Sequence, residues 1–151
     1  SMEDVTLRAT PFVSVEITDL VERALFIERS RVSRLTEFND ALKPYVELQT
    51  YDPAILVWKK ADAADSCAQL ERMFALIQTF DDATFNAVDL LESAVKEYIT
   101  REGLQNGNVL WPLRVALSGQ EKSATPFETL WVLGKETSLD RLRYAITALK
   151  T

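Results

Sequence analysis

Apolar side chains in this chain fall again and again at helical spacing, and no run alternates in the two-residue period that a half-buried strand requires. Ile17, Leu20, Val21, Ala24, Leu25 and Ile27 share one side of a segment running from Val15 to Glu28. Leu35, Phe38, Leu42 and Tyr45 continue an apolar stripe until Pro44 interrupts it. Residues 65–80 place Leu70, Phe74 and Ile77 inward, and the next segment does the same with Val88, Leu91, Ala94, Val95 and Tyr98. Four glycines and five prolines in 151 residues leave few interruptions. The pattern predicts an all-α protein.

The punctuation agrees. Asp52-Pro53 reads as an N-cap followed by proline at the first helical position, opening a short helix that ends in Lys59-Lys60. Asn86 is the expected cap of the helix that Gly103 closes in the left-handed region. A helix follows from Val109, another spans Phe127 to Leu133 with Gly134 as its stop, and Ser138 is the expected cap of the last, with Leu139, Leu142, Ala145, Ile146 and Leu149 inward. The break at Asp81-Asp82-Ala83-Thr84 is the expected boundary between two helical lobes, residues 3–80 and 81–151. Ser1-Met2 reads as an expression scar.

Composition excludes several functions. There is no histidine, which removes His-based acid–base chemistry, Ser-His-Asp and Cys-His nucleophile systems and most zinc sites. No glycine-rich phosphate loop is present. Carboxylate pairs such as Asp81-Asp82 and Glu92 with Glu97 read as caps and solvated faces. Cys67, the single cysteine, falls among apolar residues and reads as core; one thiol suits a reducing cytoplasm. No apolar run is long enough to span a bilayer. The expectation is no catalytic residue, no metal site, no membrane and no DNA partner. The net charge of −6 argues against general nucleic-acid affinity, since phosphate contacts need lysine and arginine.

One stretch is more specific: Asn108-Val109-Leu110-Trp111-Pro112-Leu113-Arg114-Val115-Ala116-Leu117-Ser118-Gly119, then Pro126-Phe127, then Leu133-Gly134-Lys135-Glu136. It resembles the PLR-x-AL-x-G and LGKE signature of the C-terminal anticodon-binding region in bacterial-type, class I glutamyl-tRNA synthetases. The resemblance runs from about Val15 to Leu149 and is closest over the last forty or so residues. Tyr51 to Lys60 is similar to a linker-and-helix segment of some members. The implied fold is a two-lobed helical bundle, the "alpha-helix cage". The implied partner is the anticodon loop of glutamate tRNA, bound by a cytoplasmic monomer. ATP and Mg would serve a catalytic domain that this chain lacks, and this fragment would hold no cofactor.

Anticodon bases are unstacked, so a protein reads them by stacking flat side chains and by hydrogen bonds to their edges; arginine does both. Arg114, on pattern alone an ordinary solvated helix arginine or a salt-bridge partner, is implied by the resemblance to lie against the first anticodon bases. Arg31 matches the family arginine that contacts the third base, within Phe26-Ile27-Glu28-Arg29-Ser30-Arg31-Val32-Ser33-Arg34-Leu35-Thr36-Glu37-Phe38. Arg29 or Arg34 takes that role if the alignment shifts by a turn, and basic residues complementing a helix C-terminus need no RNA. Family members often carry Ser-Pro where this chain has Ser123-Ala124, with its proline at Pro126. Lys122, Ser123, Thr125 and Pro126 are therefore secondary candidates, with Trp111 and Lys135. Trp58 and Trp131 read as core, and Lys59, Lys60, Arg141 and Arg143 as backbone contacts or solvated charges. The rival reading is a helical protein-interaction module derived from such a domain, favoured by the acidic charge.

Overall fold

The computed structural model describes residues 2–9, 18–32 and 37–151. Every regular element among them is helical, in two compact units, residues 1–49 and 50–151.

In the first unit, α1 (Met2–Ala9) and α3 (Phe38–Val46) both pack on α2 (Asp19–Glu28). The Thr18 side chain caps α2 by accepting from Val21 N at 3.3 Å. Val21, Ala24, Leu25, Phe38, Leu42 and Tyr45 form the buried side of α2 and α3. Pro44 does not end α3 on arrival. It lies in the last turn, where only one helical hydrogen bond is lost, and the helix stops two residues later.

The second unit is built on α7 (Pro126–Lys150), against which α4 (Ala63–Gln78), α5 (Val88–Arg101) and α6 (Asn106–Ser118) all pack. Leu70, Met73, Ile77, Leu91, Val95, Leu113, Leu117, Leu130 and Leu142 are fully buried and form its core. Short 3-10 turns at Pro53–Leu56 and Thr84–Asn86 precede α4 and α5. No described helix is long and apolar enough to cross a membrane.

The expected boundary at Phe80/Asp81 is replaced by one at Gln49/Thr50. α4 buries its apolar stripe against α6 and α7, so it belongs with the helices that follow it. The break after Phe80 is a turn inside the unit, with Asp81 Oδ1 accepting from Thr84 N (3.0 Å) and Oγ1 (2.8 Å). A helix also forms at Met2–Ala9, where none was expected.

The caps follow the sequence in part. Asp52 accepts from Ala54 N at 3.0 Å with Pro53 opening the 3-10 turn. α5 ends in a Schellman arrangement, with Leu104 N donating to Ile99 O and Gly103 N to Thr100 O. Asn86 lies in the turn before α5, whose N-cap is Ala87 without a side-chain bond. Ser138 is buried within α7 and caps nothing: the helix resumes directly after Gly134, whose φ of 79° and ψ of 174° bend it sharply. α6 starts at Asn106, three residues before the expected Val109, and runs through Pro112. An interior proline costs an isolated helix about 3 kcal/mol; here its ring is buried beside Val109, Leu113 and Ala116, which offsets that cost.

Candidate nucleic-acid interface

The signature helix α6 carries Arg114 on its less buried side and ends at Gly119, whose N–H donates to Val115 O at 2.7 Å in a left-handed turn. The chain then loops back toward α7. Ser118 Oγ stabilises the exit, 2.7 Å from Arg114 O and accepting from Gln120 N at 3.1 Å. Thr125 re-enters helix through a reciprocal capping box: Glu128 N donates to Thr125 Oγ1 (3.1 Å) and Thr125 N to Glu128 Oε1 (2.9 Å), with Pro126 at the first position.

Arg114 ties this loop to its helix. Its Nη1 donates to the carbonyls of Ser123 (2.9 Å) and Ala124 (3.1 Å) and to Ser123 Oγ (3.2 Å). Carbonyl dipoles orient a guanidinium without pairing its charge with an anion, so the side chain is held in place.

Beside it opens a cleft of ≈ 370 Å³. Trp111, Arg114, Thr125, Pro126 and Phe127 line one side, from the signature and the following helix start; Trp58, Gly107 and Leu110 line another, with Glu92 and Lys96 from α5. Lys96 Nζ bonds Glu92 Oε2 at 2.5 Å and lies 5.7 Å above the Phe127 ring. The cleft therefore combines aromatic walls, a fixed cation and an internally paired Lys–Glu couple. That suits a flat, partly anionic ligand such as a nucleotide.

The tryptophans are fixed differently from expectation. Trp58 is half-buried and lines the cleft, so its reading as core is corrected. Its ring lies so close to Gly107 that a Cβ there would sit 2.5 Å from Cζ2. Trp111 donates its indole N–H to Ile55 O at 2.9 Å, across 56 positions of sequence. Trp131 is also half-buried.

Of the secondary candidates, Trp111, Thr125 and Pro126 join Arg114 at the cleft, while Ser123 faces the arginine as an acceptor. Lys122 is exposed and does not line it. Lys135 is outside it as well: its Nζ donates to Phe80 O at 2.7 Å, beyond the end of α4, where a cation complements the helix dipole. Arg141 is no surface backbone contact. It is buried, donates to Leu117 O at 2.7 Å, and burial pulls its guanidinium down to about 10. Trp58, Lys96 and Phe127 were missed; an aromatic followed by two lysines at Trp58-Lys59-Lys60 was the available signal for the first.

In the other unit, Arg31 is exposed and its Nε lies 3.5 Å from Glu28 Oε1. Glu28 is buried and accepts from Tyr45 OH at 2.6 Å. Arg29 folds onto its own helix end, donating to Phe26 O with its guanidinium 3.7 Å above the Phe26 ring. Arg34 lies outside the described residues.

The second unit is thus a helical module with an aromatic cleft beside an arginine held in place. Residues 4–146 match the family described as anticodon binding domain, and the chain belongs to it. It is similar to the glutamate–tRNA ligase of Lachnoclostridium phytofermentans, 34% identical over 126 residues, covering 82% of this chain and 25% of that protein. It is also similar to that of Herpetosiphon aurantiacus, at 36% over 110 residues, covering 71% and 21%. A crystal structure of a glutamate tRNA ligase from Elizabethkingia meningosepticum in complex with its amino acid shares the fold, with a TM-score of 0.72 at 23% identity over 98% of this chain and 28% of that one. The chain thus spans about a quarter of the length of these relatives, and the resemblance to the anticodon-binding region of glutamyl-tRNA synthetases holds.

Proposed function

We propose that this domain binds the anticodon loop of glutamate tRNA, as a monomer in the cytoplasm, for a glutamyl-tRNA synthetase whose ATP- and Mg-dependent chemistry resides in a catalytic domain outside the 151 residues. The observation that supports it is Arg114, held by the carbonyls of Ser123 and Ala124 at an aromatic cleft, with no ion pair to it among the described residues. A guanidinium fixed in this way donates to a base edge at little ordering cost, whereas a free lysine does not. Arg31 is the second candidate, on the other unit, and its Glu28 ion pair tempers its charge.

Affinity for an anticodon stem-loop is expected to be weak and to fall steeply with salt, because phosphate contacts release counterions. Arg114→Lys keeps the charge and loses the fork. It should weaken binding about tenfold or more, within the roughly 1–3 kcal/mol of a good arginine–base pair, with the helical circular dichroism retained. Equal affinity of wild type and variant in a fluorescence-anisotropy titration refutes the assignment of Arg114, and Arg31→Ala tests the second arginine in the same way.

A second reading, a protein-interaction module without RNA binding, is favoured by the net charge of −6 and by the Arg31–Glu28 pair. It requires that no tRNA stem-loop binds at low salt.

A further inference from the structure

Arg114 is held at the cleft only while the carbonyls of Ser123 and Ala124 stand where its Nη1 meets them, at 2.9 and 3.1 Å. Both carbonyls belong to the loop between Gly119, which closes α6, and Pro126, which opens α7. A free loop samples many conformations, and ordering it on binding subtracts from affinity. This loop is fixed at each end. Ser118 Oγ donates to Arg114 O at 2.7 Å and accepts from Gln120 N at 3.1 Å, which sets the exit from α6. At the other end Glu128 Oε1 accepts from Thr125 N at 2.9 Å. The carbonyl of Ala124 and the N–H of Thr125 are the polar groups of one planar peptide unit, so a single plane carries the Arg114 bond on one edge and the Glu128 bond on the other. Fixing the N–H therefore fixes the direction of the carbonyl. A carboxylate at the N–H also polarises the unit and strengthens the carbonyl as an acceptor.

We infer that Glu128 is a positioning residue for Arg114: through the Ala124–Thr125 peptide plane it sets the guanidinium for RNA without touching the RNA itself. The inference rests on the RNA-binding reading above. Glu128 is half-buried in the first turn of α7 and does not line the cleft, whereas Thr125, Pro126 and Phe127 before it do. Its carboxylate acts through a backbone amide, and that amide needs an acceptor within reach more than it needs a negative charge. Glutamine fills the same place in a capping box. Aspartate keeps the charge in the first turn, where a helix start favours it, but its shorter side chain does not reach back to Thr125 N.

The test titrates the 151-residue chain and its variants with the anticodon stem-loop at low salt, with helical circular dichroism as the check on folding. Glu128→Ala and Glu128→Asp should each weaken binding about fivefold, the factor to which one lost helix cap corresponds. Glu128→Gln should stay within about twofold of wild type, because its amide oxygen still accepts from Thr125 N. In the Arg114→Lys background the same substitutions should change affinity by less than about twofold, since the fork they would displace is gone. In the free protein labelled with nitrogen-15, the Arg114 Nε–H signal should move in Glu128→Asp and stay in Glu128→Gln. Glu128→Asp keeps an acid at the helix start and decides the matter if Glu128→Ala does not fold. Equal weakening in both backgrounds makes Glu128 a support of the helix alone and overturns the inference. So does a Glu128→Gln variant as weak as Glu128→Asp, which would make the charge the active feature. Wild-type affinity in Glu128→Asp, with Arg114→Lys still weakened, overturns the inference and leaves the RNA reading standing. If no stem-loop binds wild type, the reading falls and the inference with it.

Discussion

Gly107 shows how one absent side chain shapes the interface. The Trp58 ring occupies the space a Cβ would need, with Cζ2 at 2.5 Å and Cε2 at 2.7 Å from that position. Gly107→Ala gains roughly 0.5–1 kcal/mol of helix propensity but forces an aromatic ring out of place, and such overpacking costs about 1–3 kcal/mol. The expected result is a net loss of stability in urea denaturation with a changed Trp58 environment; an unchanged midpoint contradicts the packing described. At the same scale, Arg114 is both a structural tie and a half-buried charge at the cleft. Pattern alone offered a solvated arginine or a salt-bridge partner, and the structure shows instead a tie to the carbonyls of Ser123 and Ala124. Cys67 is core, as expected: burial and its bond to Glu71 Oε1 at 3.4 Å push the thiol up and keep it poorly nucleophilic.

Among the elements, α7 is the one on which the second unit depends, and its bend at Gly134 aims each half at different neighbours. The φ of 79° with ψ of 174° is a backbone region that residues with a Cβ essentially avoid, although nothing lies within 4 Å of where that Cβ would go. The cost of Gly134→Ala is therefore conformational, about 1–3 kcal/mol, and it should appear as a lowered urea midpoint without a new cavity or clash. A variant as stable as wild type shows that the bend relaxes freely. The Leu133-Gly134-Lys135-Glu136 motif is thus architecture: Gly134 turns the helix and Lys135 covers the carbonyl of Phe80.

At the level of the whole second unit, its first residues meet α7 at Tyr51, and α7 meets the end of α6 at Arg141. Arg141 of α7 donates to Leu117 O at the end of α6, while Tyr51 packs edge-on to Tyr144 at 5.9 Å. Burial drives their titrations in opposite directions, pushing Tyr51 up to about 12 and Arg141 down to about 10. Between pH 10 and 12 the unfolded chain has lost the Tyr51 proton and the folded one keeps it, so this group's contribution, full below pH 10, is lost as pH rises. Burial also disfavours the Arg141 cation, and its hydrogen bond to Leu117 O offsets part of that cost. Tyr51→Phe removes that falling component. The stability of the variant relative to wild type should therefore improve from pH 10 to pH 12, measured by urea unfolding; a constant difference contradicts the assignment of Tyr51.

The sequence by itself determined what depends on near neighbours. Helical periodicity, the Asp52-Pro53 start, the Gly103 and Gly134 turns and the Pro112-Leu113-Arg114 signature all act over a few residues, where spacing and side-chain type suffice. Tertiary packing decided the rest. The boundary moved to Gln49/Thr50 because α4 buries its face against helices later in the chain. Ser138 and Asn86 look like caps in isolation, but packing carries α7 past the one and starts α5 after the other. The cleft depends on Trp58 meeting Gly107, Trp111 reaching Ile55, and Arg114 binding the loop that returns to α7. A pattern of residue types cannot encode such meetings between distant segments, because they exist only after the hydrophobic faces have closed and left two rings and a guanidinium at the surface.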